Sequence, residues 1–339
     1  MDKHRQFLFF CEGSPERGLG HVGRCLALAD AIRSEHNQIS RFVFRGSETA
    51  LSKITEAGFE VSLVENFNEW QFTDGDVVIL DLLIPLEDSF FNRATQSDVL
   101  LCTLDDPTPN RLKCDLAFYP PVPQVKKLGW EGFKGELFWD WRFIPLRKEF
   151  TKCQPKHSKE STPKLLITMG GSDPDGLTLK VLQALKILPG NWSAKVIAGP
   201  MLMGLDKIKD IAVVLGERVE ILCNVNNMAE LMTETDIAVA SFGMTAYELA
   251  ACGVPQLLLS LTDDHARSAS ALHQCGAAVS LGRYDLVSIK NLQAALTELL
   301  SNKQLRVNMA EKANELRTGD GASNIAHIIM SRRSKNCER

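Results

Sequence analysis

The sequence contains no apolar run long enough to span a bilayer, and no basic segment leads into an apolar one near its start. Membrane insertion is therefore not expected, and the expected location is the cytoplasm. The nine cysteines include no C-x-x-C pair. Cys11, Cys102 and Cys223 stand within apolar runs, as small core residues do. This distribution argues against a disulfide framework or a zinc site. Neither sign of charge dominates. A net charge of −4 and a pI near 6.0 leave no electrostatic footprint for nucleic acid or an anionic membrane surface. Two phosphate-binding fingerprints are also missing. The first glycine loop lacks the G-K-[ST] ending of a Walker A sequence, and it lacks the third glycine of a dinucleotide fingerprint.

What is present is an ordinary globular composition, 45% hydrophobic and 24% charged. A chain of 339 residues is too long for one ordinary core, so two domains are expected. Short apolar runs alternate with helical periodicity: strands at 6–11, 39–45, 60–64, 76–81 and 99–104, and helices at 21–32 and 48–57. Such alternation predicts a parallel sheet covered by helices on both faces. The polar, proline-bearing stretch 152–163 is the best domain boundary. The division is 1–150, a linker over 151–163, and 164–339. Residues 120–143 read as irregular, and a last helix is expected over 325–331.

Three strings carry chemistry. In the first, Gly18 and Gly20 let the chain turn sharply and let a ligand approach closely. His21 then stands at a helix N-terminus, where the dipole disfavours imidazolium and leaves the ring able to accept a proton. Arg24 follows one turn later. A single histidine at a helix start is more often a cap or a surface residue; the whole string raises its standing. In the second, Gly170, Gly171 and Ser172 follow a strong strand and feed a helix expected from Pro174 to Leu188. Ser172 or Asp173 would be its N-cap, and the free amides there suit a diphosphate. Asp173-Pro174-Asp175 spells D-x-D, but its place in a helix cap argues against a metal. In the third, Ser241–Ala269, a buried strand ends in a glycine turn. Thr245 and Glu248 have capping-box spacing, and Gly253 and Pro255 end the helix. Asp264 and His265 then follow the next strand, where open α/β sheets bind ligands. Asp81 and Asp105/Asp106 also sit at strand ends, either lining a cleft or capping the next turn.

These strings, G-L-G-H-V-G-R, M-G-G-S-D-P and G-M-T-A-Y-E with G-V-P, together with L-R-K-E-F and the late D-G-x-x-x-I pattern, resemble one family. It includes the pseudaminic-acid-pathway UDP-sugar hydrolase (PseG) and the spore-coat polysaccharide protein SpsG, within the MurG-like GT-B superfamily. The resemblance runs from Gly18 to Ile328. It implies two Rossmann-like parallel-sheet domains facing an interdomain cleft. It implies that the second half binds UDP: Asn224 and Met228 near the base, Phe242, Gly243, Met244 and Thr245 at the phosphates, and Glu248 at the ribose. It implies that His21 is the base that activates water against C1 of a UDP-linked acetamido-deoxysugar, with no cofactor and no metal. Other enzymes of the same glycan pathway would be its partners. Where PseG-type hydrolases carry Asn-Gln, this chain has Asp264-His265, so the sugar stays open. A glycosyltransferase and a non-catalytic nucleotide-sugar-binding subunit remain alternatives.

Overall fold

The computed structural model describes residues 6–14, 18–153, 162–223, 225–316 and 320–337. The chain divides into two compact units. The first is built from β1 (Phe7–Gly13), α1 (Gly20–His36), β2 (Ser40–Gly46), α2 (Glu48–Glu56), β3 (Glu60–Leu63), β4 (Val77–Asp81), α3 (Asp88–Gln96), β5 (Leu100–Leu104), β6 (Leu116–Tyr119) and β7 (Glu136–Trp139). Its seven strands lie in the order β3-β2-β1-β4-β5-β6-β7, all parallel. The central strands are buried along their whole length, as a sheet covered on both faces requires. Phe9 and Phe42 stack on one face of this sheet, and Phe10 meets Phe90 edge-on on the other.

The second unit comprises α4 (Lys148–Thr151), β8 (Lys164–Thr168), α5 (Leu177–Leu185), β9 (Ser193–Ala198), α6 (Leu205–Leu215), β10 (Val219–Cys223), α7 (Met228–Thr233), β11 (Ile237–Ser241), α8 (Met244–Ala251), β12 (Gln256–Ser260), α9 (Asp263–Gln274), β13 (Ala278–Arg283), α10 (Ile289–Ser301) and α11 (Lys303–Glu315). Its six parallel strands run β10-β9-β8-β11-β12-β13. Trp192, Leu182 and Ile167 are among the residues that fill its core.

Four local readings are corrected. The last helix, α12 (Gly321–Cys337), belongs to the first unit, not the second. Ile325, Ala326 and Ile329 are fully buried in the first unit's core beside Leu28 and Ile32 of α1. The chain therefore leaves the first unit after Arg147 and returns to it at the end. The supposedly irregular stretch 120–143 contains β7, which extends the sheet beyond β6. Its first two residues, Glu136 and Leu137, are exposed, so its apolar signal is weak. The helix expected from Pro174 starts only at Leu177, after a turn in which Asp173 and Gly176 both have positive φ. Finally, α8 starts at Met244 with Gly243 as its N-cap, so Thr245 and Glu248 lie inside the helix and form no capping box.

Candidate functional site

In each sheet the strand order reverses direction once, and open α/β sheets place ligands at such points. In the first unit the reversal lies between β1 and β4, which pair Cys11 with Asp81. The turn after β1 delivers His21 as the second residue of α1, and β4 ends at Asp81. In the second unit it lies between β8 and β11. The Gly170–Ser172 turn follows β8, and Phe242–Gly243 follows β11. A Cβ placed on Gly170 would stand 3.9 Å from Ser241 Oγ, so these two turns are neighbours.

The first constellation is a buried charge network. Asp81 is almost fully buried, and its carboxylate has four side-chain contacts. His21 Nδ1 lies 2.5 Å from Oδ1. Arg24 Nε donates to Oδ2 at 2.5 Å, and its Nη2 donates to Oδ1 at 2.6 Å. Cys25 Sγ approaches Oδ2 at 3.4 Å. Arg24 also reaches Asp105 Oδ2 at 3.1 Å. Burial alone would raise the Asp81 pKa. The Arg24 charge and the His21 contact outweigh it and hold the carboxyl well below its usual range. Burial likewise opposes the Arg24 charge, and Asp81 more than restores it.

An ionised carboxylate only accepts hydrogen bonds. The Asp81 contact therefore assigns the proton to His21 Nδ1 and leaves Nε2 with its lone pair. Arg24 Nη2, 3.0 Å from Nδ1, then shares Asp81 Oδ1 as a second donor. The arrangement fixes both the tautomer and the orientation of the ring, and it can stabilise an imidazolium. Gly18 has a φ of +74°, open to glycine, and α1 begins at Gly20 without a side-chain cap.

In the second unit the first turn differs from the sequence expectation in a way that matters chemically. The Asp173 carboxylate accepts from Leu177 N at 2.7 Å and from Thr178 N at 2.9 Å. The N-terminus of α5 is thus already occupied by an anionic side chain and does not offer those amides to a diphosphate. Asp175 accepts from the Tyr284 hydroxyl at 2.6 Å. Gly170 sits at φ +74°, and a Cβ on Gly199 would fall 2.5 Å from the carbonyls of both Gly170 and Gly171. This turn is therefore built for close backbone packing. By contrast, no side chain caps α8, whose N-cap Gly243 has open space where a Cβ would stand. Phe242 is buried, its amide bonded to the Leu259 carbonyl, while Gly243, Met244 and Thr245 are half-buried. Glu248 lies one turn further along α8 and is also half-buried.

Asp264 and His265 occupy the first turn of α9 rather than a loop. Thr262 caps that helix by accepting from His265 N at 3.1 Å. Burial pushes the His265 pKa down, against an opposing pull from Asp264. The ring centre stands 6.0 Å from that of Phe242, which brings α9 beside the α8 turn. Asp264 is exposed and bonded to Arg267 at 3.3 Å. Gln124, a residue with no sequence signal, belongs to this unit and donates to Ser268 Oγ at 2.6 Å and to the Asp264 carbonyl at 2.9 Å. Met228 opens α7. Asn224 lies outside the described residues.

Two parallel-sheet α/β units with these strand orders give the chain the GT-B fold. Solved structures with the same fold include MurG from Acinetobacter baumannii, with a TM-score of 0.68 and 15% identity over 96% of this chain and 99% of that one. A Staphylococcus aureus MnaA–UDP structure gives 0.61 at 13% identity, covering 94% of each chain. No protein-family model matches. Among curated proteins, the uncharacterized protein MJ1062 of Methanocaldococcus jannaschii is 30% identical over 283 residues, 77% of this chain. The match spans only 58% of that relative's length. The spore coat polysaccharide biosynthesis protein SpsG of Bacillus subtilis is 22% identical over 336 residues, covering 95% of this chain and 96% of its own. Among the described residues, no helix is long and apolar enough to cross a membrane.

Proposed function

We propose that this chain is an enzyme acting on a nucleotide sugar, and specifically that it releases UDP from a UDP-linked acetamido-deoxysugar by hydrolysis. The observation that carries the catalytic half of this reading is the 2.5 Å contact between His21 Nδ1 and the buried Asp81 carboxylate. It leaves Nε2 as the ring atom able to take a proton. Water attacks C1 and gives its proton to His21 Nε2. The C1–O bond breaks, and the electron pair leaves on the UDP diphosphate. Asp81 stabilises the resulting imidazolium and is a positioning residue.

The nucleotide is assigned to the second unit. The uncapped α8 start supplies donors to the diphosphate, with Gly170, Gly171 and Ser172 beside it, and Glu248 receives the ribose hydroxyls. Met228 and Asn224 are assigned to the base, and Asp264 and His265 to the sugar. The MnaA structure contains UDP, which supports the choice of nucleotide. The likeness to MurG supports a second reading, transfer of the sugar to an acceptor hydroxyl in place of water. SpsG, named for spore-coat polysaccharide biosynthesis, supports a role in surface-glycan synthesis under either reading.

The test is UDP release from a panel of UDP-acetamido-deoxysugars without acceptor, for the wild type and His21→Ala. Release by the wild type is expected to fall by about 100-fold or more in the variant, the usual contribution of a positioned base. UDP affinity, measured by calorimetry, should stay within about twofold. Wild-type turnover that survives the substitution overturns the role of His21. UDP binding without release, restored by adding a sugar acceptor, selects the transferase.

A further inference from the structure

At the end of α1, opposite in sequence from His21, lies a second cluster that the proposed chemistry does not use. Glu35 and His36 close α1, and His327 stands in α12, all within the first unit. One ligating atom from each lies within 4.8 Å of the other two. The two imidazole rings meet edge to face, with centres 4.8 Å apart. His36 Nε2 is buried and has no hydrogen-bond partner. A buried ring nitrogen left without a partner calls for an explanation, and a bound ion is one.

The surrounding bonds prepare the cluster for a cation. His327 Nδ1 lies 2.8 Å from the Ser323 carbonyl, 3.4 Å from Ser323 Oγ and 3.8 Å from Glu35 Oε2. A carbonyl only accepts, so Nδ1 carries the proton and the Nε2 lone pair is available. A backbone carbonyl fixing the tautomer of a ligating histidine is a recurrent device of metal sites. Ser323 Oγ also donates to Glu35 Oε2 at 2.6 Å, which holds the carboxylate beside the rings.

We propose that Glu35, His36 and His327 bind one divalent transition-metal ion of the zinc type and that the ion clamps α12 to α1. Two imidazoles and one carboxylate are a borderline donor set that suits zinc better than calcium or magnesium. Metal–ligand bonds of about 2.0–2.2 Å place tetrahedral ligand atoms roughly 3.4 Å apart. The widest separation, up to 4.8 Å, must therefore contract by up to about 1.4 Å. The Glu35 and His327 side chains are 27% and 64% exposed, so solvent rather than packed core lies beside them as they turn toward the ion. Three protein ligands leave a fourth position for water.

The experiment uses the full chain without a histidine tag, stripped with chelator and kept reduced. Cobalt(II) is titrated in as the probe and then displaced by zinc. One equivalent of cobalt with visible d–d absorption is expected, and zinc should raise the melting temperature. His327→Ala, and separately Glu35→Gln, should each lower the affinity by about 10-fold or more and abolish the zinc-dependent rise. Both positions are surface side chains, so folding is retained, and circular dichroism checks it. Absence of stoichiometric binding overturns the proposal. So does binding that both variants leave intact, which would place the ion elsewhere, for example at the exposed Cys223.

Discussion

Asp106 is buried, one residue beyond the Asp105 that pairs with Arg24. Its Oδ1 accepts from Thr108 N at 2.6 Å, while Oδ2 is buried without a partner. Burial raises its pKa to about 6, against the pull of the Thr108 and Asn110 bonds, and the nearby Asp81 charge adds to the rise. The sign of the linkage follows. The folded state holds this proton more tightly than the unfolded chain does, so ionisation opposes folding. That cost is absent below the ordinary carboxylate pKa, grows as pH rises, and is complete above about 6. Asp106→Asn keeps the acceptor for Thr108 and removes the ionisation. The variant should gain roughly 1–3 kcal/mol over wild type at pH 8, and the gain should shrink to about half a kcal/mol near pH 4. Urea midpoints at the two pH values decide it; an equal difference at both would rule out ionisation as the cause.

At the scale of elements, α12 depends on one close approach. Gly321 begins the helix, and a Cβ there would lie 2.1 Å from the Ile144 carbonyl oxygen. Backbone cannot swing aside as a side chain can. Gly321→Ala should therefore cost about 1–3 kcal/mol, read as a lower melting temperature. Gly23, inside α1, meets nothing within 4 Å, so Gly23→Ala is the matched control. It should be neutral or stabilise by up to about 1 kcal/mol. Equal losses in both would refute the packing argument.

The same scale shows what the sequence made legible. Strands such as 76–81 and 99–104 were readable because burial on both faces forces uninterrupted apolar runs. The turns bearing His21, Gly170 and Gly243 were readable because glycine marks sharp backbone and close approach. Three features were not. The half-exposed edge strand β7 carries little apolar periodicity. Asp173 was readable as a cap, but the extra turn through Gly176, which delays α5 to Leu177 and sets the carboxylate four residues before it, was not. The Asp81–His21 bond joins residues 60 apart, so only sheet order reveals it.

For the whole molecule, the division into two units makes a prediction about where a ligand acts. If UDP binds the second unit, it stabilises that unit by mass action, by about 2.7 kcal/mol at a ligand concentration 100 times Kd. Hydrogen exchange should slow in β8, β11 and α8, the elements around the Gly170 and Gly243 turns. The central strands β1 and β4 should be much less affected. Protection confined to β1 and β4 would move the nucleotide to the first unit and overturn its assignment.

The return of α12 to the first unit sets an order of events during synthesis. A ribosome delivers the chain from its N-terminus, and N-terminal units ordinarily fold first. Here the first unit's core lacks Ile325, Ala326 and Ile329 until α12 is made, after the whole of the second unit. The second unit, whose strands and helices lie between Lys148 and Glu315, has all of its core by then. The half made first is thus the half completed last. Until α12 has been made, the nascent chain carries an open apolar face on α1 that a chaperone is suited to cover.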